Sequence, residues 1–281
     1  NPDHYTYLRS ASKPIQLLPF LDLELDKKYG ITPEELVILA GSHMGAPFQV
    51  AAVESIAKKM DIQEESLILQ PCYPFYEENR IAVIQQGKAP RKFFHGCSGK
   101  HLAAMALARE LGGEEDEYYR PETPAQQLIL EYIAALSNYP KSNITIGLDG
   151  CGVPVFAVPL SHMAGAALTM AHPELLESPP HSSTQQSAQR IVAVYHQHCD
   201  YITNPGLLCT ELNRDPNIFA KGGSQGIYAF ALKNEKIGVS FKISDGSEET
   251  WNLVAASILE QLGYKNQATM KAIRALRPPE L

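Results

Sequence analysis

The sequence predicts an α+β fold, an antiparallel sheet flanked by helices with a helical lobe attached, and three observations predict it. Two apolar runs near the C-terminus, Gly226 to Leu232 and Ile237 to Ile243, are separated by the polar Lys233-Asn234-Glu235-Lys236, the pattern of an antiparallel hairpin. A helical period follows from about Glu248 to Leu262, opening after the Ser244-Asp245-Gly246-Ser247 turn and closing near Gly263. The middle of the chain is helix-rich and carries most of the prolines. A hairpin followed by a helix lays that helix across one face of the sheet.

From the N-terminus, Pro14 fits only the first turn of a helix, which places Ser10 at or just before that turn. Apolar residues recur at helical spacing over Gln49 to Met60 and Ser98 to Leu111. They do so again over Pro124 to Leu136 and Thr184 to His198, with Ser, Thr or Pro near the start. No repeat, low-complexity tract or long linker divides the chain, so residues 1–281 read as one unit with a sheet lobe and a helical lobe. The tail after Leu276, Arg-Pro-Pro-Glu-Leu, is expected to fray.

With 44% apolar and 20% charged residues, the 281-residue chain can bury a sizeable core. Its net charge of −7 is spread without long blocks, which argues against a nucleic-acid footprint. The apolar stretch from Gly152 to Ala171 is interrupted by Pro154, Pro159, Ser161 and His162 and is no membrane span. Five scattered cysteines make no disulfide scaffold, and a reducing cytoplasm is the expected setting.

Three motifs carry chemistry. The first is Ser10-x-x-Lys13 within Arg9-Ser10-Ala11-Ser12-Lys13-Pro14. Residues three apart share a helix face, so the hydroxyl and the amine can meet. A serine becomes a nucleophile when a base takes its proton, and a lysine is such a base only when burial or a neighbouring cation keeps it neutral. Acyl-enzymes built on this pair use a second lysine beside a strand. Lys221, in Ala220-Lys221-Gly222-Gly223 just before the hairpin, is the candidate.

The second motif, His95-Gly96-Cys97-Ser98-Gly99-Lys100-His101, fails as a phosphate loop: Phe94 stands where that loop's first glycine belongs, and His101 where its Ser or Thr belongs. The third is the tight loop Asp149-Gly150-Cys151-Gly152-Val153-Pro154. Two glycine-flanked cysteines near histidines suggest a soft-metal site, zinc before others, or else a pair of inert buried thiols. Cys72 and Cys199 read as inert thiols.

Together the blocks resemble the Rhizobium-type (class 3) L-asparaginase II family. R-S-A-S-K-P at 9–14, G-S-H-M-G at 41–45, H-G-C-S-G-K-H at 95–101, D-G-C-G-V-P-V-F-A-V-P-L at 149–160, F-A-K-G-G at 219–223 and K-I-S-D-G-S at 242–247 occur in the family's order. The resemblance implies a fold like that of serine β-lactamases and bacterial glutaminases, and hydrolysis of asparagine to aspartate and ammonia. It implies two Ser-Lys tandems, Ser10 with Lys13 and Ser42 with Lys221, and a zinc ion held by Cys97, Lys100 and Cys151. Arg9, Asp149 and His101 match residues lining that site, Cys209 lies in a matching L-C-T-E-L segment, and a homodimer is implied. Both serines are candidate nucleophiles, with Ser42 favoured and Ser10 relaying protons.

The chain departs from the family at Ala46 and Gln49, where a glutamate and a histidine are usual, at Ser224-Gln225, where A-E is usual, and at Gly96, where asparagine is usual. These positions are expected at the rim of the site, where they bear on substrate preference. The alternatives are a glutaminase-like amidohydrolase and a non-catalytic metal- or ligand-binding homologue. The family's strand pair ahead of R-S-A has only about eight residues to form it here, so truncation or another segment completing the sheet is expected.

Overall fold

The computed structural model describes residues 1–276; the expected frayed tail lies outside the described residues. The chain opens with β1 (Tyr5–Tyr7), followed by a 3-10 turn at Arg9–Ser12 and short helices α1 (Lys13–Gln16), α2 (Leu18–Asp22) and α3 (Leu25–Lys28). Then come α4 (Pro33–Ala40), α5 (Pro47–Met60), α6 (Glu77–Gln85), α7 (Ser98–Glu110) and α8 (Pro124–Ser137). A hairpin of β2 (Thr145–Leu148) and β3 (Pro154–Pro159) leads into α9 (Leu160–Ala171), α10 (Thr184–Gln197) and α11 (Leu208–Asn213). Strands β4 (Ile218–Gly222), β5 (Ile227–Leu232) and β6 (Ile237–Lys242), then α12 (Trp251–Gln261) and α13 (Gln267–Ala275), complete it.

The architecture is mixed: helices around two small antiparallel sheets, ordered β1-β3-β2 and β4-β5-β6. The C-terminal hairpin forms where the apolar runs place it, with Leu232 opposite Ile237 and Ile227 opposite Lys242. Every residue of β5 is buried, because it is the central strand, α9 packs on it and on β6, and Trp251 lies edge-on against Tyr228. That accounts for its unbroken apolar run, since a strand covered on both faces has no polar side to alternate with. Lys221 lies on a third strand, β4, directly ahead of the hairpin. The residues ahead of Arg9 form β1, which pairs with β3 through Tyr5 opposite Pro159.

In the helical region α4 and α7 approach closely at Gly99, where a Cβ would lie 2.2 Å from the Ile38 carbonyl oxygen. Glycine lets the backbones meet there. Asp22, at the end of α2, is 5% exposed and accepts hydrogen bonds from Tyr132, Ser183, Thr184 and Ser187, fastening α2 to α8 and α10. Asp22→Ala would strand four hydroxyl donors, and a loss of about 3–5 kcal/mol is expected in denaturant titration. A loss below about 1 kcal/mol would show that water replaces the carboxylate freely. No helix among the described residues is long and apolar enough to cross a membrane.

Candidate active site

Ser42 follows α4 in a loop whose path is fixed by its backbone: Ser42 N–H donates to the Ile202 carbonyl at 2.7 Å. Two lysine amines reach its hydroxyl oxygen, Lys13 Nζ at 3.0 Å and Lys221 Nζ at 3.0 Å. Lys13 arrives from the first turn of α1 and Lys221 from β4; they are 1% and 3% exposed. The amine of Lys13 has two further acceptors, the carbonyl oxygens of Gly41 at 2.7 Å and Gly96 at 2.9 Å. Three acceptors match the three N–H groups of an ammonium. Lys221 has one further acceptor, the Gly222 carbonyl at 2.7 Å.

Burial lowers the pKa of both lysines. Lys221 is brought down to about 8 by burial, opposed by Cys209 and helped by the charge of Lys13. Lys13 is lowered by burial and by Lys100, with the thiols of Cys97 and Cys151 opposing.

Next to Ser42, His43 is fully buried and burial pushes it down to about 3, so it is neutral. Its Nδ1 accepts from Gly45 N–H, which leaves Nε2 carrying the proton toward Ser98 Oγ at 2.8 Å. This bond ties the Ser42 loop to the start of α7. The N–H groups of Ser42, Met44 and Gly45 are committed to Ile202, Gln49 and His43, so none of them is free to meet a developing oxyanion.

The thiols come from two elements, Cys97 just ahead of α7 and Cys151 at the tip of the β2–β3 hairpin. That tip is closed by Asp149 N–H donating to the Val153 carbonyl. A hydrogen bond from Cys151, then Lys13 and Lys100, hold the Cys97 thiol well below its usual range against the cost of burial. The same bond and burial raise Cys151, so the two thiols titrate as a pair. Asp149 Oδ2 receives Lys100 Nζ at 3.2 Å and Oδ1 faces Arg9 Nε at 3.0 Å. Burial would raise this carboxyl, but the two cations hold it low. Among the described residues no group of three or more His, Cys, Asp or Glu side chains converges as a metal cage.

The L-asparaginase II family model matches residues 1–281. The chain belongs to the L-asparaginase II family. Membership makes it an amidohydrolase of a small-molecule substrate. No curated protein matches the sequence.

The structure of this asparaginase II chain brings Lys13, Ser42 and Lys221 together and sets Arg9, Lys100, Asp149, Cys97 and Cys151 in an adjoining network. Ser10 lies in the 3-10 turn, half-buried, and its side chain makes no hydrogen bond among the described residues. The amine of Lys13, one turn on, goes inward to Ser42 and not to Ser10. His101 is fully buried beneath the network: its Nδ1 meets Tyr118 OH at 2.6 Å. His101 Nε2 has no hydrogen-bond partner among the described residues. Burial holds this histidine well below its usual range, so it is neutral.

Three of the departures are buried and not at a rim. Gln49 is fully buried and uses its whole amide: Oε1 accepts from Met44 and Ala46 N–H, and Nε2 donates to the Asp200 and Thr203 carbonyls. It anchors the Ser42 loop from below, and Ala46 beside it is 5% exposed. Gly96 is dictated by space, because a Cβ there would sit 2.6 Å from the His43 carbonyl oxygen. Gln225 alone faces the open side, receiving Arg9 Nη1 at 3.1 Å. Gln225 was expected at the rim from sequence, but its contact with Arg9 was not, and the Gly41 and Gly96 carbonyls were missed altogether, because backbone acceptors leave no trace in residue type.

Proposed function

We propose that the protein is an L-asparaginase in which Ser42 attacks the side-chain amide of asparagine, releasing ammonia and then aspartate. The observation that carries this reading is the position of Ser42 Oγ 3.0 Å from each of two buried amines. Lys13 is the standing cation, its three N–H groups directed at Gly41, Gly96 and Ser42. Lys221, lowered to about 8, is the base that takes the Ser42 proton. As the Ser42 oxygen bonds to the amide carbon, its proton passes to Lys221 and then to the departing nitrogen, which leaves as ammonia. Water hydrolyses the resulting β-aspartyl ester with Lys221 again accepting a proton. Arg9 and Asp149 are assigned to the α-carboxylate and α-ammonium of the substrate, and Ser10 to relaying protons at the mouth. Ammonia release from asparagine, measured beside glutamine, tests the assignment; turnover of glutamine alone would overturn the substrate, and turnover of neither would overturn the activity.

We also propose zinc at Cys97, Lys100 and Cys151. The donor chemistry suits it: two facing sulfurs are soft ligands, and Lys100 becomes a third once its proton is displaced. A bound dication would keep both thiols ionised and oppose protonation of the neighbouring lysines. Elemental analysis of protein purified without chelator is expected to find about one zinc per chain, lost in Cys97→Ser and Cys151→Ser. Metal-free protein under zinc-replete conditions would remove the ion. The same reading extends to a Rhizobium-type, serine β-lactamase-like fold forming one unit over residues 1–281, a homodimer and a cytoplasmic setting. Support for the fold comes from the β4–β6 sheet packed by α9, with Lys221 on its first strand.

A further inference from the structure

We propose that Glu248 is a further substrate-binding residue, its carboxylate receiving the α-ammonium of asparagine beside Asp149. This rests on the asparaginase reading and deepens it. Glu248 lies just ahead of α12, on the turn whose Gly246 packs against Gln225; a Cβ on Gly246 would lie 3.7 Å from Gln225 Cα. Ile243 N–H donates to the Gly226 carbonyl at 2.8 Å and laces this turn to the β4–β5 connection. Glu248 Oε1 then accepts the Gln225 N–H at 3.1 Å. Gln225 in turn receives Arg9 Nη1 at 3.1 Å on its own Oε1. A single residue therefore joins the Glu248 carboxylate to the Arg9 guanidinium. Position 225, where the family usually carries glutamate, holds an uncharged amide, so the carboxylate at this corner comes from Glu248.

The α-carbon of the substrate carries both its carboxylate and its ammonium. With Arg9 assigned to the first, acceptors for the second belong beside Arg9. Asp149 Oδ1 already receives Arg9 Nε at 3.0 Å and Gly150 N–H at 2.9 Å, and Oδ2 turns inward to Lys100 and Cys151. Gln225 Oε1 is taken by Arg9 and bears no charge. Glu248 Oε2 has no donor among the described residues. An ammonium has three N–H groups to place, and a carboxylate oxygen is a charge-assisted acceptor for one of them. The carboxylate also feels the site: burial raises its pKa, while the Gln225 N–H and the charges of Lys221 and Arg9 oppose the rise. The residue itself is solvent-accessible, which leaves the free oxygen open to an incoming ligand.

The test compares L-asparagine with succinamate, which keeps the scissile amide and the carboxylate and lacks the α-ammonium. Glu248→Gln keeps an acceptor for the Gln225 N–H and removes the charge. It is expected to lower the ratio of kcat/KM for asparagine to that for succinamate about tenfold, chiefly through KM for asparagine. Any change that the lost charge works on Lys221 acts on both substrates and cancels in this ratio. Calorimetric binding of L-aspartate and of succinate gives a readout without turnover. The wild type is expected to prefer aspartate, and Glu248→Gln to weaken aspartate about tenfold more than succinate. Equal weakening of the two ligands would mean that Glu248 only holds Gln225 and Arg9 in place, and would overturn the proposal. So would a wild-type protein that binds aspartate no better than succinate. If the wild type releases no ammonia yet the variant shows the aspartate-selective weakening, the asparaginase reading falls and the role of Glu248 stands. Asparagine turnover with an unchanged substrate ratio in Glu248→Gln would overturn the role of Glu248 alone.

Discussion

Ser42→Ala is expected to reduce ammonia release from asparagine by roughly ten-thousandfold or more, the scale on which loss of a covalent nucleophile is felt. Ser10→Ala is expected to cost far less, about ten- to a hundredfold, as loss of a proton relay. The two serines differ in what surrounds them. Ser42 Oγ accepts from two buried amines, and its loop is pinned by Ile202, by the His43–Ser98 bond and by the four hydrogen bonds of Gln49. Ser10 Oγ has no such partner among the described residues. Removing the Ser42 hydroxyl leaves Lys13 its two carbonyl acceptors, so about 1–2 kcal/mol of stability is at stake and the variant should fold. Ammonia assays on the two variants, with a thermal melt for each, make the comparison. Comparable losses in both would mean that the serines act as one unit.

The second large effect is in pH. With Lys221 at about 8, kcat/KM is expected to rise tenfold per pH unit up to about 8 and level off above it. The sign follows from which form works: the neutral amine is the base, and below its pKa that form falls to roughly one part in a hundred within two pH units. Lys221→Met should cost about a hundred- to ten-thousandfold in kcat and erase this limb of the profile. A Met variant that kept the limb would move the base to Lys13. Stability should carry the same signature. An amine that is lowered in the folded state is protonated more readily in the unfolded chain, so the wild type gains stability between about pH 8 and about 10.4, and Lys221→Met does not.

Much of this was legible in the sequence, and the parts that were not share a physical cause. The long helices α5, α7, α8 and α10 each show an apolar period over three turns or more, and the β5–β6 hairpin shows two apolar runs around a polar turn. Strands β1 and β2 are three and four residues long, too short for alternation to register. The β2–β3 hairpin, which carries Asp149 and Cys151 at its tip, therefore read only as a glycine-rich loop. Strand β4 went unseen because Ala220-Lys221-Gly222 looks like a turn; its lysine is buried and reaches Ser42 Oγ and the Gly222 carbonyl. The Ser-x-x-Lys spacing pointed to a bond between neighbours, but a 3-10 turn with Arg9 in a left-handed conformation precedes α1, and the burial of Lys13 sends its amine to Gly41, Ser42 and Gly96. Local spacing reports which groups can meet on a regular helix and carries no information on a partner distant in sequence.

The central claim is that Ser42 is the atom-transferring nucleophile, and covalent labelling tests it most directly. An asparagine analogue with a diazoketone in place of the side-chain amide alkylates whichever group attacks it. After digestion, mass spectrometry should find the label on the fragment carrying Ser42, with labelling suppressed by aspartate and absent in Ser42→Ala. Label on Ser10 or on a cysteine, with Ser42 unmodified, would contradict the account.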